Sequence, residues 1–146
     1  MLAHTGQSVA SVTKTPPHQP RTTVRLARRR PTLITLITTI TVMEIRFGLQ
    51  TMPPQSMTRS RRQDALLRLF ELLLKNMIEG RIASFDAEAG IHAAELMAQR
   101  KRAGRPAEVR DTMIAGIVLA NRATLTTRNT QHFKDLPLTV INPWET

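Results

Sequence analysis

From Pro31 onward, short β-branched runs alternate with longer stretches whose apolar residues recur at helical spacing, and this alternation limits the chain to few architectures. Leu33–Thr38 reads as a buried strand, followed by a helix from about Thr41 to Gln50 that ends before Pro53-Pro54. A longer helix is predicted over Ser60–Glu79, with Leu66, Leu69, Phe70, Leu73 and Met77 on one face and Gly80 as its stop. Arg81–Phe85 reads as a strand. Asp86 offers an N-cap for an amphipathic helix through Arg102, closed by Gly104 and Pro106. Another helix is predicted over Glu108–Asn121, then strands at Thr124–Thr127 and Leu138–Ile141. Strands alternating with helices predict a short parallel sheet covered by helices, an α/β layered domain.

Residues 1–30 differ sharply. They are rich in Ser, Thr, Pro, Gln and Arg, with no acid and no apolar period, so they are expected to stay disordered. The domain is therefore expected to span 31–146. The location of charge supports the same division. Of the net +10, six charges come from Lys14, Arg21, Arg25, Arg28, Arg29 and Arg30, all ahead of the first acid, Glu44. The remaining +4 is ordinary for a domain of this size. A basic surface favours an anionic partner such as RNA, because neutralising phosphates releases counterions; a charged tail and a solvated surface account for it equally well. The chain has no Cys, which excludes disulfides and thiolate chemistry and fits a cytoplasmic protein. Leu33–Met43 is apolar but far too short to span a bilayer, so no membrane association is expected.

In open α/β sheets, function gathers at the carboxyl ends of strands and the helix starts beside them. Three segments qualify: Thr41–Glu44, Glu108–Asp111 and Thr127–His132. Glu44 could be half of a capping box with Thr41, or a carboxylate aimed into the cleft. Asp111 falls in a helix's first turn, where the dipole alone favours an acid. Together, however, Glu44 and Asp111 are two oxygen donors from different elements, suited to Mg²⁺ or Mn²⁺. Thr127 and Asn129 could orient bound water, with Arg128 near a phosphate. The four histidines, His132 among them, show no metal-ligand spacing, and no phosphate-binding glycine loop or nucleophile elbow occurs.

Read in order, Ile40-Thr41-Val42-Met43-Glu44-Ile45-Arg46-Phe47-Gly48, Gly80–Asp86, Arg105-Pro106 through Asp111, Thr127-Arg128-Asn129 and Val140-Ile141-Asn142-Pro143-Trp144 resemble the blocks of PIN domains. The resemblance is to VapC-type toxins, in particular their FitB-like plasmid-stability branch, and covers about residues 32–145. It implies a three-layer α/β/α fold and a Mg²⁺- or Mn²⁺-dependent ribonuclease of a type II toxin–antitoxin system. It further implies a cognate antitoxin and a homodimer. Glu44 and Asp111 correspond to two of the family's metal-binding acids, and Thr127 and Asn129 to its T-x-N element.

Two departures stand out. The family opens with a strand ending in Asp-Thr-Asn, whose Asp is a principal ligand; nothing upstream of Glu44 corresponds to it, so the sheet is expected to lack its first strand. An abrupt switch to aperiodic sequence is what a shifted reading frame ahead of residue 31 would produce. The family's T-R-N-x-x-D-F also becomes Thr127-Arg128-Asn129-Thr130-Gln131-His132-Phe133, with His132 in place of an acid. Asp135 does not substitute for it, because Phe133 fixes the register. The resemblance therefore points to an impaired nuclease, or to a non-catalytic protein that still binds an antitoxin or dimer partner.

Overall fold

The computed structural model describes residues 11–14, 34–53, 57–76, 80–105 and 108–145. In chain order these form β1 (Ser11–Lys14), β2 (Ile34–Thr38), α1 (Thr39–Gln50), α2 (Met57–Asn76), β3 (Ile82–Ala83), α3 (Ala87–Arg102), α4 (Val109–Ala120), β4 (Ala123–Thr126), a 3₁₀ turn (Thr130–Phe133) and β5 (Val140–Ile141). The strands make one sheet in the order β3-β2-β1-β4-β5. β2 pairs with β3 in parallel and β4 with β5 in parallel, while β1 is antiparallel to both β2 and β4. Four strands therefore run one way and the central one runs the other.

That central strand corrects two expectations. Ser11–Lys14 belongs to the segment expected to be wholly disordered, and it fills the position expected to be missing; the rest of residues 1–30 lies outside the described residues. The physical reason is the demand of the neighbours. Without a strand between them, β2 and β4 would each leave a row of backbone donors and acceptors unpaired beside the core. Ser-Val-Thr-Lys is β-branched at its centre and alternates, so Val12 enters the core fully buried while Lys14 stays exposed. Four residues suffice for the ladder, and their direction is unconstrained by any short connection.

A second correction concerns α1. The helix starts two residues earlier than expected, and its N-cap is Thr38, whose hydroxyl accepts from the Thr41 N–H at 3.1 Å. The Thr38 and Thr41 hydroxyls also lie 2.9 Å apart. Thr41 is thus inside the helix, and the Thr41–Glu44 capping box does not form. Glu44 stands more than a turn into α1 with no capping duty.

Elsewhere local chemistry behaves as expected. Asp86 caps α3, its Oδ1 accepting from Ala89 N–H at 2.9 Å. Gly104 (φ +67°) closes the same helix: its N–H donates to Lys101 O at 3.1 Å and that of Arg105 to Arg100 O at 3.0 Å, a Schellman pair. α3 and α4 cross closely because Gly116 has no side chain: a Cβ there would lie 2.4 Å from Ala89 O. Ile114, Ala115, Ile117 and Val118 of α4 are buried against this crossing and the sheet, with Leu125 of β4 fully buried beside them. α2 fulfils its expected apolar face only in part: Phe70 is buried, but Leu69 and Leu73 are exposed, and Met77 lies outside the described residues. Among the described residues, no helix is long and apolar enough to cross a membrane.

Candidate metal centre

Glu44 and Asp111 arrive from different helices. α1 leaves β2 directly and carries Glu44; α4 begins at Glu108 and holds Asp111 in its first turn. Between them stands Arg110. Its Nη1 is 3.4 Å from Glu44 Oε1, and its Nε donates to Glu108 Oε1 at 3.1 Å. The four groups share one electrostatic neighbourhood. Burial raises the Glu44 carboxyl above its ordinary range; Arg110 opposes this, while the charges of Asp111 and Glu108 add to it. Arg110 is itself held more firmly protonated, chiefly by its hydrogen bond to Glu108 and then by the charges of Glu108, Glu44 and Asp111. Glu44 thus feels the charges of Asp111 and Glu108, and Arg110 makes contact with Glu44 and Glu108.

Asp111 has a second neighbour. Its Oδ2 lies 2.6 Å from His132 Nδ1, across from the 3₁₀ turn. His132 thus occupies, as an imidazole, the place where the resemblance leads one to expect a carboxylate. Thr127, buried, follows β4 directly; its N–H donates to Ile141 O at 3.0 Å and its hydroxyl accepts the Asn129 N–H at 3.2 Å. Thr127 and Asn129 thereby shape the turn that delivers His132, with Asn129 at the head of the 3₁₀ segment. Arg128 is exposed and stacks over Trp144, its guanidinium carbon 5.1 Å from the ring centroid.

Below this layer lies a buried network. Arg100 reaches from α3 with Nε and Nη2 on the two oxygens of Asp135, at 2.9 and 2.8 Å. Its Nη2 also donates to His132 O at 2.7 Å and its Nη1 to Thr112 Oγ1 at 3.1 Å. Thr112 in turn donates to Glu108 O at 2.9 Å. Asp135 is thus an ion-pair partner of Arg100, in keeping with the register set by buried Phe133. The cleft above, of about 340 Å³, is lined by Arg105, Glu108, Asp111, His132 and Lys134 among others. Neither Glu44 nor Arg110 is part of that lining; Arg110 ties Glu44 to Glu108, which is.

Sequence reasoning missed Glu108, Arg110 and Arg100 as members of this site. Glu108 and Arg110 both precede Asp111 at the same helix start, and their alternating signs are the available clue. Nothing in the sequence marks Arg100, which is one base in an Arg100-Lys101-Arg102 run.

A mainly parallel sheet covered by helices, with carboxylates of α1 and of the α4 start held against one arginine, defines an α/β domain with a polar cleft. The PIN domain family model matches residues 18–137, and the chain belongs to this family. It is 42% identical over 109 residues, 75% of each protein, to the plasmid stability protein StbB of Pseudomonas syringae pv. tomato. It is 35% identical over 109 residues, 75% of this chain and 74% of the relative, to VapC ribonuclease Y4jK of Sinorhizobium fredii. Among solved structures, FitAB bound to an IR36 DNA fragment is similar at a TM-score of 0.65 and 25% identity, covering 76% of this chain and 74% of the other. FitAcB from Neisseria gonorrhoeae is similar at a TM-score of 0.61 and 25% identity, covering 76% of each chain.

Proposed function

We propose that this chain is a VapC-type endoribonuclease of a toxin–antitoxin system, acting on RNA in the cytoplasm with Mg²⁺ or Mn²⁺, and that its activity is weak. The observation that carries the reading is the electrostatic coupling of Glu44 on α1 to Asp111 on α4, beside the Arg110 that contacts Glu44. Two hard carboxylate donors suit a cation that keeps most of its water. Among the described residues, no three His, Asp or Glu side chains gather closely enough to enclose an ion, so water would supply the other positions. Bound there, the ion would activate water and neutralise charge on a scissile phosphate.

The chain's own groups set the rest. Glu44 and Asp111 hold the cation, with Asp111 shared with His132. Asn129, at the end of the turn shaped by Thr127, orients a water. Arg105 and Lys134, lining the cleft, attract the RNA backbone. Weak activity follows from competition at both acids: each already has an oxygen against a protein group, Arg110 in one case and His132 in the other. Partner binding supplies a second reading, a non-catalytic protein held by its antitoxin and a second copy of itself. The exposed apolar side chains Met43 and Phe47 of α1 and Leu69, Leu72 and Leu73 of α2 favour it.

Incubation of the purified chain with single-stranded RNA and Mn²⁺ tests the first reading. The expected result is slow cleavage, abolished by EDTA and by Asp111→Asn. Cleavage that persists in Asp111→Asn would overturn it. Absence of cleavage, with retention of the product of the adjacent small reading frame on the immobilised chain, would favour the second.

A further inference from the structure

We propose that Trp144 and Arg128 form a stacking platform for one base of a single-stranded RNA, set beside the cleft. The choice of RNA as occupant rests on the nuclease reading above; the platform itself rests on contacts within this chain.

Trp144 is the one tryptophan of a chain that has no tyrosine, yet it stays out of the core, 62% exposed. A ring of that size left in water forfeits its burial energy until something covers it. Arg128 covers one face, its guanidinium carbon 5.1 Å from the ring centroid. The exposure that remains leaves the opposite face to solvent. Backbone bonds hold both residues. Thr127, just ahead of Arg128, donates its N–H to Ile141 O at 3.0 Å and so joins the ends of β4 and β5. Past β5 the chain turns: the Trp144 N–H donates to Asn142 Oδ1 at 3.1 Å, and that of Glu145 to Asn142 O at 3.3 Å. Ring and guanidinium therefore meet at one end of the sheet, and three residues beyond Arg128 the chain enters the cleft lining at Gln131.

An open π face backed by a fixed positive charge fits a flat π partner that carries negative charge. A nucleobase on its phosphodiester is such a partner. The base stacks on the free face of the ring, and the edge N–H donors of Arg128 are left for the adjacent phosphate. Among the described residues Arg128 has no ion pair to give up. Arg105 and Lys134 carry the positive charge on into the cleft. A duplex does not fit, because its bases are already stacked on one another. An apolar protein face would gain from the ring but would have to strip water from the guanidinium beside it.

With one tryptophan and no tyrosine, the emission of the chain reports on residue 144. The full chain is titrated in EDTA with a single-stranded oligoadenylate and with an RNA duplex of equal length, binding being read separately from the anisotropy of a labelled strand. Oligoadenylate is expected to quench Trp144 in step with binding, and the duplex to leave it unchanged. Trp144→Ala should weaken oligoadenylate binding roughly tenfold with the salt dependence intact, since no charge is lost, while Trp144→Phe keeps part of the affinity. Arg128→Gln should weaken it roughly threefold and lower the salt slope by roughly 0.7. Melting curves establish that the variants are folded. Binding without quenching, at wild-type affinity in Trp144→Ala, overturns the platform and leaves the RNA reading standing. Emission that follows protein concentration and ignores RNA assigns the ring to a second copy of the chain, and overturns it too. Absence of oligoadenylate binding also overturns the platform; if cleavage in Mn²⁺ is absent as well, the nuclease reading falls with it.

Discussion

Two arginine–carboxylate pairs flank the same cleft and have opposite characters. Arg100 and Asp135 form its floor: the arginine side chain is 7% exposed, both carboxylate oxygens are engaged, and the remaining guanidinium donors go to Thr112 and the His132 carbonyl. Arg110 and Glu44 form its mouth, outside the residues that line it and joined to them through Glu108, with a single long contact and an arginine 53% exposed. Burial removes water from the floor and makes each bond obligatory; among the described residues no buried side-chain polar atom lacks a partner. At the mouth water remains a competitor, so the pair can open. The lesson is that an acid near a cleft is available for chemistry only if its present partner is weakly held. Asp135 fails that criterion, and Glu44 meets it.

The sharpest way to break the comparison is Arg100→Met. It leaves the half-buried Asp135 without its partner and frees the Thr112 and His132 positions, with an expected loss of about 1–3 kcal/mol in urea denaturation. Replacing both residues by apolar ones of similar size should recover much of that loss, because the cost lies in the unpaired charge. A loss below 1 kcal/mol would show that the floor is no more rigid than the mouth.

The pH dependence of stability separates the two acids by sign. Asp135 is held below its ordinary 3.8, first by the hydrogen bonds from Arg100. Its contribution is therefore complete above pH 3.8 and is lost as pH falls through the lowered folded value. Glu44 is raised above its ordinary 4.5, first by burial. Its contribution is complete below pH 4.5 and is lost as pH rises through the folded value. Denaturation series for Asp135→Asn and Glu44→Gln against wild type, from pH 2.5 to 7 in roughly half-unit steps, should deviate in opposite senses. Parallel deviations would erase the distinction.

How much of this was legible in the sequence depends on how local the cause is. The Asp86 cap, the Gly104 stop and the order of elements are set by neighbours within a few residues, and they stand where the sequence placed them. Glu44 lies in the helix that leaves β2, which the alternation of elements locates, whereas Asp111 lies at the start of a helix that follows another helix. Arg100 was hidden because its partners lie 12 to 35 residues away. β1 was hidden for a related reason: Ser11–Lys14 is ordered by the ladder it completes, and the four residues carry little signal of their own. The capping box failed by competition. Thr38, Thr39 and Thr41 all offered a hydroxyl near the helix start, and the end of β2 decided among them.

Thr38 links the two regions, since it is as buried as the floor yet starts the helix that carries Glu44. Thr38→Val keeps the shape and removes the hydroxyl that accepts from Thr41 N–H. The expected cost is about 1 kcal/mol, with a matching fall in Mn²⁺ affinity if the first turn of α1 loosens. Loss of stability with no change in ion binding would show that Glu44 is positioned by packing rather than by the cap.

The smallest effect is expected at the mouth itself. Because Arg110 and Glu44 are partly hydrated, the coupling between Arg110→Gln and Glu44→Gln in a double-mutant cycle should stay below about 1 kcal/mol and shrink further in salt. That smallness is what the contrast requires: a strong bond there would lock the acid away as Arg100 locks Asp135. A coupling of several kcal/mol would make the mouth a second floor, and Glu44 a structural acid with no charge to offer a metal.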